Sequence, residues 1–279
     1  MIELKNISRK FADKYVVKNL NLKIKSGVFF GLLGPNGAGK TTTIRMMLTL
    51  LRPTGGKILI EGKDLKRNMI DYKRKLGLVA QHISLEKEMS ARENLELHGR
   101  LHNLKKEKRE KRIKELMDFV GLWKHRDKLI KQMSGGMKRR LMIARAIMHR
   151  PKILFMDEPT VGLDPASRRK IWDLLKDLNA NGITIFMTTH YIEEAEILCE
   201  DIALMDEGEI IARGTPTELK SRVGRFVLET FNNGKTEYKF FEKREKALDF
   251  ANELGGNVML RENTLEDVFI KLTDHGVGD

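Results

Sequence analysis

The stretch GPNGAGKT, from Gly34 to Thr41, constrains the fold of this chain more than any other part of the sequence. It follows the short apolar run VFFGLL and precedes a segment with helical character, which predicts a buried strand, a glycine loop and a helix in that order. This context and the pattern G-x-x-x-x-G-K-[ST] are typical of a loop that binds phosphate groups. Glycines let backbone N–H groups turn toward the phosphates, and the helix N-terminus favours their negative charge. We therefore predict a phosphate-binding loop in an α/β domain.

The polar side chains of this loop indicate which ligand it binds. Lys40 is expected to reach the β- and γ-phosphates of a nucleoside triphosphate, and the Thr41 hydroxyl is expected to bind Mg²⁺. A nucleoside triphosphate and Mg²⁺ are thus the predicted ligands, and the family resemblance described below implies that the nucleotide is ATP. The residues expected to contact the nucleotide are Gly34, Pro35, Asn36, Gly37, Ala38, Gly39, Lys40, Thr41 and Thr42.

Two neighbouring carboxylates follow a second apolar run in ILFMDEP. Asp157 ends that predicted strand and can hold Mg²⁺, directly or through water. Glu158 comes next and can orient and deprotonate an attacking water. The alternative is a pair of acids in an exposed turn. A buried strand that delivers both acids, in a chain that also has a phosphate loop, favours a site for hydrolysis.

The order of the predicted elements indicates three parts. Strands alternate with helices from residue 153 to residue 206, which predicts a largely parallel sheet. Residues 82–150 lack clear strands and have helical apolar spacings. From residue 222 the order changes to strand, turn, strand, helix, strand and helix. The predicted fold class is therefore α/β. It consists of a phosphate-loop ATPase core over residues 1–221, with a helical subdomain inserted at about 82–150, and a small C-terminal α+β module over residues 222–279.

Charge and composition limit the environment of the chain. Lysine and arginine outnumber aspartate and glutamate by 52 to 39, a net charge of +13. This excess suits nucleic acid or the anionic inner face of a membrane, or it serves solubility alone. The single cysteine, Cys199, excludes an internal disulfide and is typical of a reducing cytosol. No stretch approaches the roughly 20 apolar residues of a membrane-spanning helix. We expect a protein of the cytoplasm.

With these motifs in this order, the chain resembles the ATP-binding subunit of an ABC transporter over about residues 1–220. Gln81 ends its strand where that family has its Q-loop. VGLD, with Asp164, resembles the D-loop, and His190 after IFMTT resembles the switch histidine. The resemblance implies that Gln81 and His190 take part in catalysis beside Lys40 and Glu158, that Gln81 is a further Mg²⁺ ligand, and that Asp164 lies at the nucleotide.

A second glycine segment, MSGGM, resembles the signature motif of the same family. Members of that family pair head to tail, which implies that Ser134, Gly135 and Gly136 face the γ-phosphate of the ATP held by a second copy. Met137 stands where the family usually has glutamine. The family also stacks an aromatic side chain on adenine. Phe11 matches that position best, with Tyr15 as the alternative.

The stretches MSGGMKRRL and TLEDVFIKLT together resemble the ATPases of drug and antibiotic exporters, whose permease is a separate chain. This implies an ATPase that powers export, with a second copy of itself and a permease as partners, bound peripherally at the cytoplasmic face of the membrane. The alternatives are an importer ATPase, a phosphate-loop kinase, and a soluble ABC ATPase that acts on nucleic acid or ribosomes. The signature and His190 disfavour the kinase. Nucleic acid is not expected because the sequence has neither a second fused ATPase domain nor a long coiled coil.

Overall fold

The computed structural model describes residues 1–232, 235–254 and 258–273. Its strands are β1 (Ile2–Phe11), β2 (Lys14–Ile24), β3 (Phe29–Leu33), β4 (Gly55–Ile60), β5 (Lys63–Asp64), β6 (Leu76–Val79), β7 (Ile153–Asp157), β8 (Thr184–Thr189), β9 (Asp201–Asp206), β10 (Glu209–Gly214), β11 (Phe226–Asn232), β12 (Lys235–Phe241) and β13 (Val258–Glu262). Its α-helices are α1 (Lys40–Met47), α2 (Met69–Lys73), α3 (Ala91–Leu101), α4 (Lys106–Phe119), α5 (Gly135–Ala146), α6 (Pro165–Ala180), α7 (Ile192–Leu198), α8 (Pro216–Lys220), α9 (Arg244–Leu254) and α10 (Leu265–Thr273).

A six-stranded sheet with the order β10-β9-β3-β8-β7-β6 forms the centre of the molecule. All neighbours in it are parallel except β10, which pairs antiparallel with β9. Every residue of β3, β7 and β8 is buried, as expected for strands covered on both faces. The carboxyl ends of parallel strands meet at one edge of the sheet, so the loops after β3, β7 and β8 lie together. The predicted α/β class is confirmed.

A four-stranded antiparallel sheet, β2-β1-β4-β5, covers one side of this centre. Its inward side chains, among them Leu4, Leu22 and Ile58, share one apolar cluster with Phe30 of β3 and Met47 of α1. The alternation of buried and exposed residues along β2 produces this one-sided packing. The sheet therefore supports the strand and the helix on either side of the phosphate loop.

Residues 82–150 form helices α3, α4 and α5 with two short 3₁₀ turns, as the apolar spacing predicts. Helix α3 begins with a capping box between Ser90 and Glu93. Leu95, Ile113 and Met142 meet in the second large apolar cluster, which also contains side chains of the parallel sheet. The helical insertion is thus packed on the sheet by a shared core.

The C-terminal segment builds an antiparallel sheet, β12-β11-β13, with α9 and α10. Leu265 and Val268 of α10 belong to the same apolar cluster as Leu219 and Val223 at α8. The Asn263 side chain donates hydrogen bonds of 2.6 and 2.7 Å to the carbonyls of residues 220 and 224. Part of the predicted turn in this module, and its last six residues, lie outside the described residues. The boundary at residue 222 stays a prediction.

Among the described helices, none has both the length and the apolar character needed to cross a membrane.

Candidate nucleotide site

The loop between β3 and α1 has the backbone shape that a phosphate cradle requires. Gly37 and Gly39 have φ values of +89° and +104°, in the left-handed region that favours glycine. A Cβ on Gly39 would lie 2.6 Å from the Val16 carbonyl oxygen, and one on Gly34 would collide with the Met205 carbonyl oxygen. A Cβ on Gly37 would meet no atom within 4 Å, so the loop borders open space there. A side chain is excluded on the packed side of the loop, and the other side is open.

The amides at the start of α1 are available to a ligand. Within the described part of the chain, the N–H groups of Gly39, Lys40 and Thr41 have no hydrogen-bond acceptor, and no side chain caps the helix. Buried or partly buried amides are normally paired, so unpaired ones at a helix N-terminus point to an anion that completes them. These residues fit a phosphate group.

The Lys40 ammonium is held inside this loop. It donates hydrogen bonds of 2.7 Å to the Gly34 carbonyl and 2.9 Å to the Pro35 carbonyl. It also lies 3.7 Å from Glu158 Oε1. Burial lowers the pKa of Lys40, and the carboxylates of Glu158 and Asp157 oppose that shift because they stabilise the ammonium. A positive charge is thus placed where phosphates would enter.

Asp157 lies beside the Thr41 hydroxyl, which directly follows the phosphate loop in the first turn of α1. Thr41 Oγ1 donates to Asp157 Oδ1 at 3.2 Å, and Thr188 Oγ1 of β8 donates to the same oxygen at 2.6 Å. A hydroxyl and a carboxylate are oxygen donors of the kind that Mg²⁺ prefers, and Mg²⁺ normally takes only one or two protein ligands beside phosphate and water. Thr41 and Asp157 therefore fit a magnesium site. Thr188, which the sequence did not predict, orients the carboxylate.

Glu158 and His190 form the next contact along the sheet edge. His190 Nδ1 lies 3.0 Å from Glu158 Oε2. Glu158 is buried, and its φ of +48° is unusual for a residue with a side chain. Its amide donates to the Thr188 carbonyl at 3.1 Å. Backbone strain of this kind is found at functional sites, where the surrounding structure enforces it. The carboxylate is thereby fixed between an ammonium and an imidazole.

Gln81 is held near this edge through its backbone. The Arg139 guanidinium of α5 donates to the carbonyls of Ala80 at 2.7 Å and Gln81 at 2.8 Å. Within the described residues, the Gln81 side-chain amide makes no hydrogen bond, and its role as a Mg²⁺ ligand stays a prediction. The sequence did not predict Arg139, because one arginine in MKRRL is not distinguished from its neighbours.

The signature residues and the D-loop aspartate form a second group. Ser134 caps α5 by accepting from the Met137 amide at 3.3 Å, and Asp164 caps α6 by accepting from the Ser167 amide at 2.9 Å. A Cβ on Gly136 would lie 2.5 Å from Ser167 Oγ, so the two helix starts are in close contact. Ser134 and Gly135 are exposed. No hydrogen bond in the described chain joins this group to the phosphate loop.

Phe11 ends β1 with 45% of its surface exposed, and the Arg9 guanidinium lies 4.4 Å from its ring centroid. Tyr15 is exposed to 47%. Both rings therefore have exposed surface on which a planar ligand could stack, and the choice of Phe11 stays a prediction.

Comparisons with known proteins agree with this geometry. A family model described as ABC transporter matches residues 17–161. Nod factor export ATP-binding protein I of Cupriavidus metallidurans is 39% identical across 100% of this chain and 99% of its own length. Linearmycin resistance ATP-binding protein LnrL of Bacillus subtilis is 44% identical over 80% of this chain and 72% of its own length. The ATP-binding cassette MJ0796 was solved as a dimer in a post-hydrolysis state with ADP and Pi. It is 33% identical to this chain, with a TM-score of 0.70, and the match covers 77% of this chain and 98% of MJ0796.

The fold and the site define a phosphate-loop ATPase. The chain belongs to the ABC transporter family as one of its ATP-binding subunits, and it is of the exporter type.

Proposed function

We propose that two copies of this chain close on ATP and hydrolyse it to drive a separate membrane permease that exports a substrate. The observation that carries this proposal is the continuous contact from Lys40 through Glu158 to His190, with ion-pair and hydrogen-bond distances of 3.7 and 3.0 Å. The named functions of relatives support the direction of transport, because one exports Nod factor and another confers linearmycin resistance.

Each side chain of the first group has a role in this proposal. Lys40 and the free amides of the loop bind the phosphates and stabilise charge as the γ-phosphoryl group is transferred. Thr41, Asp157 and Gln81 would hold Mg²⁺, which supplies charge neutralisation on the phosphates. Gln81 would join them by a movement of its side-chain amide, which has no competing partner among the described residues.

Glu158 is the general base in this proposal. It accepts a proton from the attacking water, while His190 holds one carboxylate oxygen and Lys40 lies near the other. Phe11 would stack on adenine, since its ring is exposed at the end of β1.

The signature group serves the nucleotide of a second copy. Ser134, Gly135 and Gly136 would contact its γ-phosphate, and Asp164 would lie at the same interface. Two observations support this: Ser134 and Gly135 are exposed, and the related cassette MJ0796 was solved as a dimer. A single chain would then contribute half of each of two sites.

Glu158→Gln tests the site and the dimer together. The variant should bind ATP without hydrolysing it, so ATP with Mg²⁺ should convert monomer to dimer in light scattering. Glu209→Gln, at a carboxylate exposed to 58%, is the matched control and should hydrolyse ATP normally. The double variant Lys40→Ala/Glu158→Gln should stay monomeric. An ATP-dependent dimer that also forms in the double variant would contradict the proposed site.

The permease and the direction of transport need a second experiment. The chain should bind the cytoplasmic face of vesicles only when they contain its permease, and its ATPase rate should then rise. Inside-out vesicles supplied with ATP should take up the substrate, because their interior corresponds to the outside of the cell. Loss of substrate from such vesicles would indicate import.

A further inference from the structure

Glu194 is a buried carboxylate that the proposed reaction does not use. It lies in α7 and is 0% exposed. Its Oε1 accepts hydrogen bonds from the Thr160 hydroxyl and, at 3.1 Å, from Trp172 Nε1. Its Oε2 accepts from the Thr189 hydroxyl at 2.6 Å. Among the described residues, no lysine, arginine or histidine forms an ion pair with it. Three neutral donors thus provide all of its observed hydrogen bonds.

Burying a carboxylate at this position costs free energy, and an apolar side chain could fill the space without that cost. Burying a charged or polar group is unfavourable unless hydrogen bonds replace its contacts with water. An apolar side chain of similar volume would fill the same space without that demand. Glu194 instead connects three segments of the chain, because each of its hydrogen bonds comes from a different segment.

The three donors lie next to the residues of the hydrolytic site. Thr160 is two positions after Glu158, and Thr189 immediately precedes His190. Trp172 belongs to α6, whose N-cap residue is Asp164. One carboxylate therefore connects the segment of the base, the segment of the switch histidine and the helix that follows the D-loop.

Thr189 strengthens this connection on both sides of His190. Its hydroxyl donates to Glu194 and accepts from the Tyr191 amide at 3.0 Å. Both neighbours of His190 in the chain are thus tied to one hydroxyl, whose direction Glu194 sets. The position of the imidazole depends on this arrangement, because its backbone is held before and after it.

We propose that Glu194 is a positioning residue for ATP hydrolysis, which holds Glu158 and His190 in register with α6. It would act through Thr160, Thr189 and Trp172 and would not touch the nucleotide. This inference rests on the proposed function of Glu158 and His190. It deepens that proposal, since it assigns the geometry of the base–histidine pair to a residue outside the known motifs of the sequence.

Glu194→Ala and Glu194→Gln provide the main test. In the alanine variant, kcat should fall about 10- to 100-fold because the reacting groups lose their alignment. The equilibrium Kd for ATP without Mg²⁺ should stay unchanged, since the phosphate loop is intact. The glutamine variant should recover most of the rate, because its oxygen can accept from Thr160 and Trp172 while the Thr189 hydroxyl turns to accept from its amide.

Glu193→Gln is the matched control on the same helix. Glu193 is exposed to 62% and lies 3.8 Å from Arg168, so this variant should keep the wild-type kcat and Kd.

Trp172→Phe removes one hydrogen bond to Glu194 and should lower kcat about two- to fivefold without a change in Kd. Thr189→Val removes two hydrogen bonds, the one to Glu194 and the one from the Tyr191 amide, and should lower kcat at least as much, again without a change in Kd. If Glu194→Ala does not fold, the kcat values of Thr189→Val and Trp172→Phe test the positioning role of Glu194.

Circular dichroism at the assay temperature and ATP-binding stoichiometry give the folded fraction of each variant. A wild-type kcat in folded Glu194→Ala would overturn the proposal, as would wild-type rates in both Thr189→Val and Trp172→Phe. Parallel loss of kcat and ATP binding in Glu194→Ala would also overturn it, because that pattern indicates structural support alone. If the wild-type chain and its Glu158→Gln variant had equal ATPase rates, the proposed function would fail instead.

Discussion

Three histidines outside the nucleotide site make the stability of the folded chain sensitive to acid. His98 and His102 lie on α3 and its C-terminal end, and His149 follows α5. The rings of His102 and His149 are stacked, with centroids 3.9 Å apart and planes within 3°. Burial lowers the pKa of His98 and of His149 to about 4, and nearby Arg145 adds to the shift of His98. Burial also lowers the pKa of His102.

The direction of the pH effect follows from these pKa values. In the unfolded chain the ordinary value is 6.5, so between pH 6.5 and about 4 the unfolded state binds protons that the folded state does not. The neutral, buried histidines therefore make their full contribution to the free energy of unfolding above pH 6.5, and this contribution is lost as the pH falls toward 4. Linkage gives a loss of about 1.3 kcal/mol for each of the two histidines between pH 7.5 and 5.5, or about 2.7 kcal/mol at most for both.

Urea unfolding at pH 7.5 and 5.5 measures this loss. Wild-type chain is compared with His98→Gln/His149→Gln, in which the amide at residue 149 can still donate to the Leu76 carbonyl that His149 Nε2 contacts at 2.7 Å. The double variant should lose about 2 kcal/mol less than wild type over this range. His82→Gln, at an exposed histidine, is the control and should follow wild type. Parallel pH dependence in wild type and the double variant would refute the reasoning.

Three further predictions concern the ATPase. Lys40→Ala should lower kcat at least about 100-fold because a charge that stabilises the transferred phosphoryl group is removed, and near-normal turnover in a steady-state assay would contradict the site. Ser134→Arg should lower hydrolysis at least about tenfold more than Met137→Gln, since steric exclusion costs more than one hydrogen bond of about 1.5–3 kcal/mol. Binding of fluorescent ATP to single subunits should remain. Equal rates in the two variants would indicate that the signature segment acts only as a helix cap. Deletion of residues 222–279 should preserve ATP binding but lower the melting temperature, because Leu219 loses the apolar neighbours Leu265 and Val268. A folded truncation that bound no ATP would refute the division at residue 222.

The proximity of the first group of site residues could be predicted from the sequence because their arrangement depends on the sheet. Lys40, Asp157 and His190 each follow or end an apolar run, and the order of strands and helices predicts that those runs are parallel. Parallel strands bring their carboxyl ends to one edge, so residues that are distant in the chain become neighbours. No knowledge of side-chain packing is needed for that step.

The supporting residues could not be predicted in the same way. Glu194 stands in YIEEAE beside two other glutamates, and only its burial distinguishes it from Glu193. Its partners come from three separate segments, so neither spacing nor composition identifies it. Thr188 could not be identified from the sequence either, since threonine is common in strands. Such contacts depend on how helices and strands are placed in three dimensions.

The close contact between the two helix starts gives the second glycine segment a role within its own chain. Gly136, the second residue of α5, packs against Ser167 of α6, with no room for a side chain between them. Helix α6 in turn donates the Trp172 hydrogen bond to Glu194, which also holds the segments of Glu158 and His190. A displacement of the signature by the nucleotide of a second copy would therefore reach the base and the histidine through packed atoms. In the proposed dimer, the contact at Gly136 would be the first step of that route and would link the nucleotide at the signature to the hydrolytic residues of the same chain.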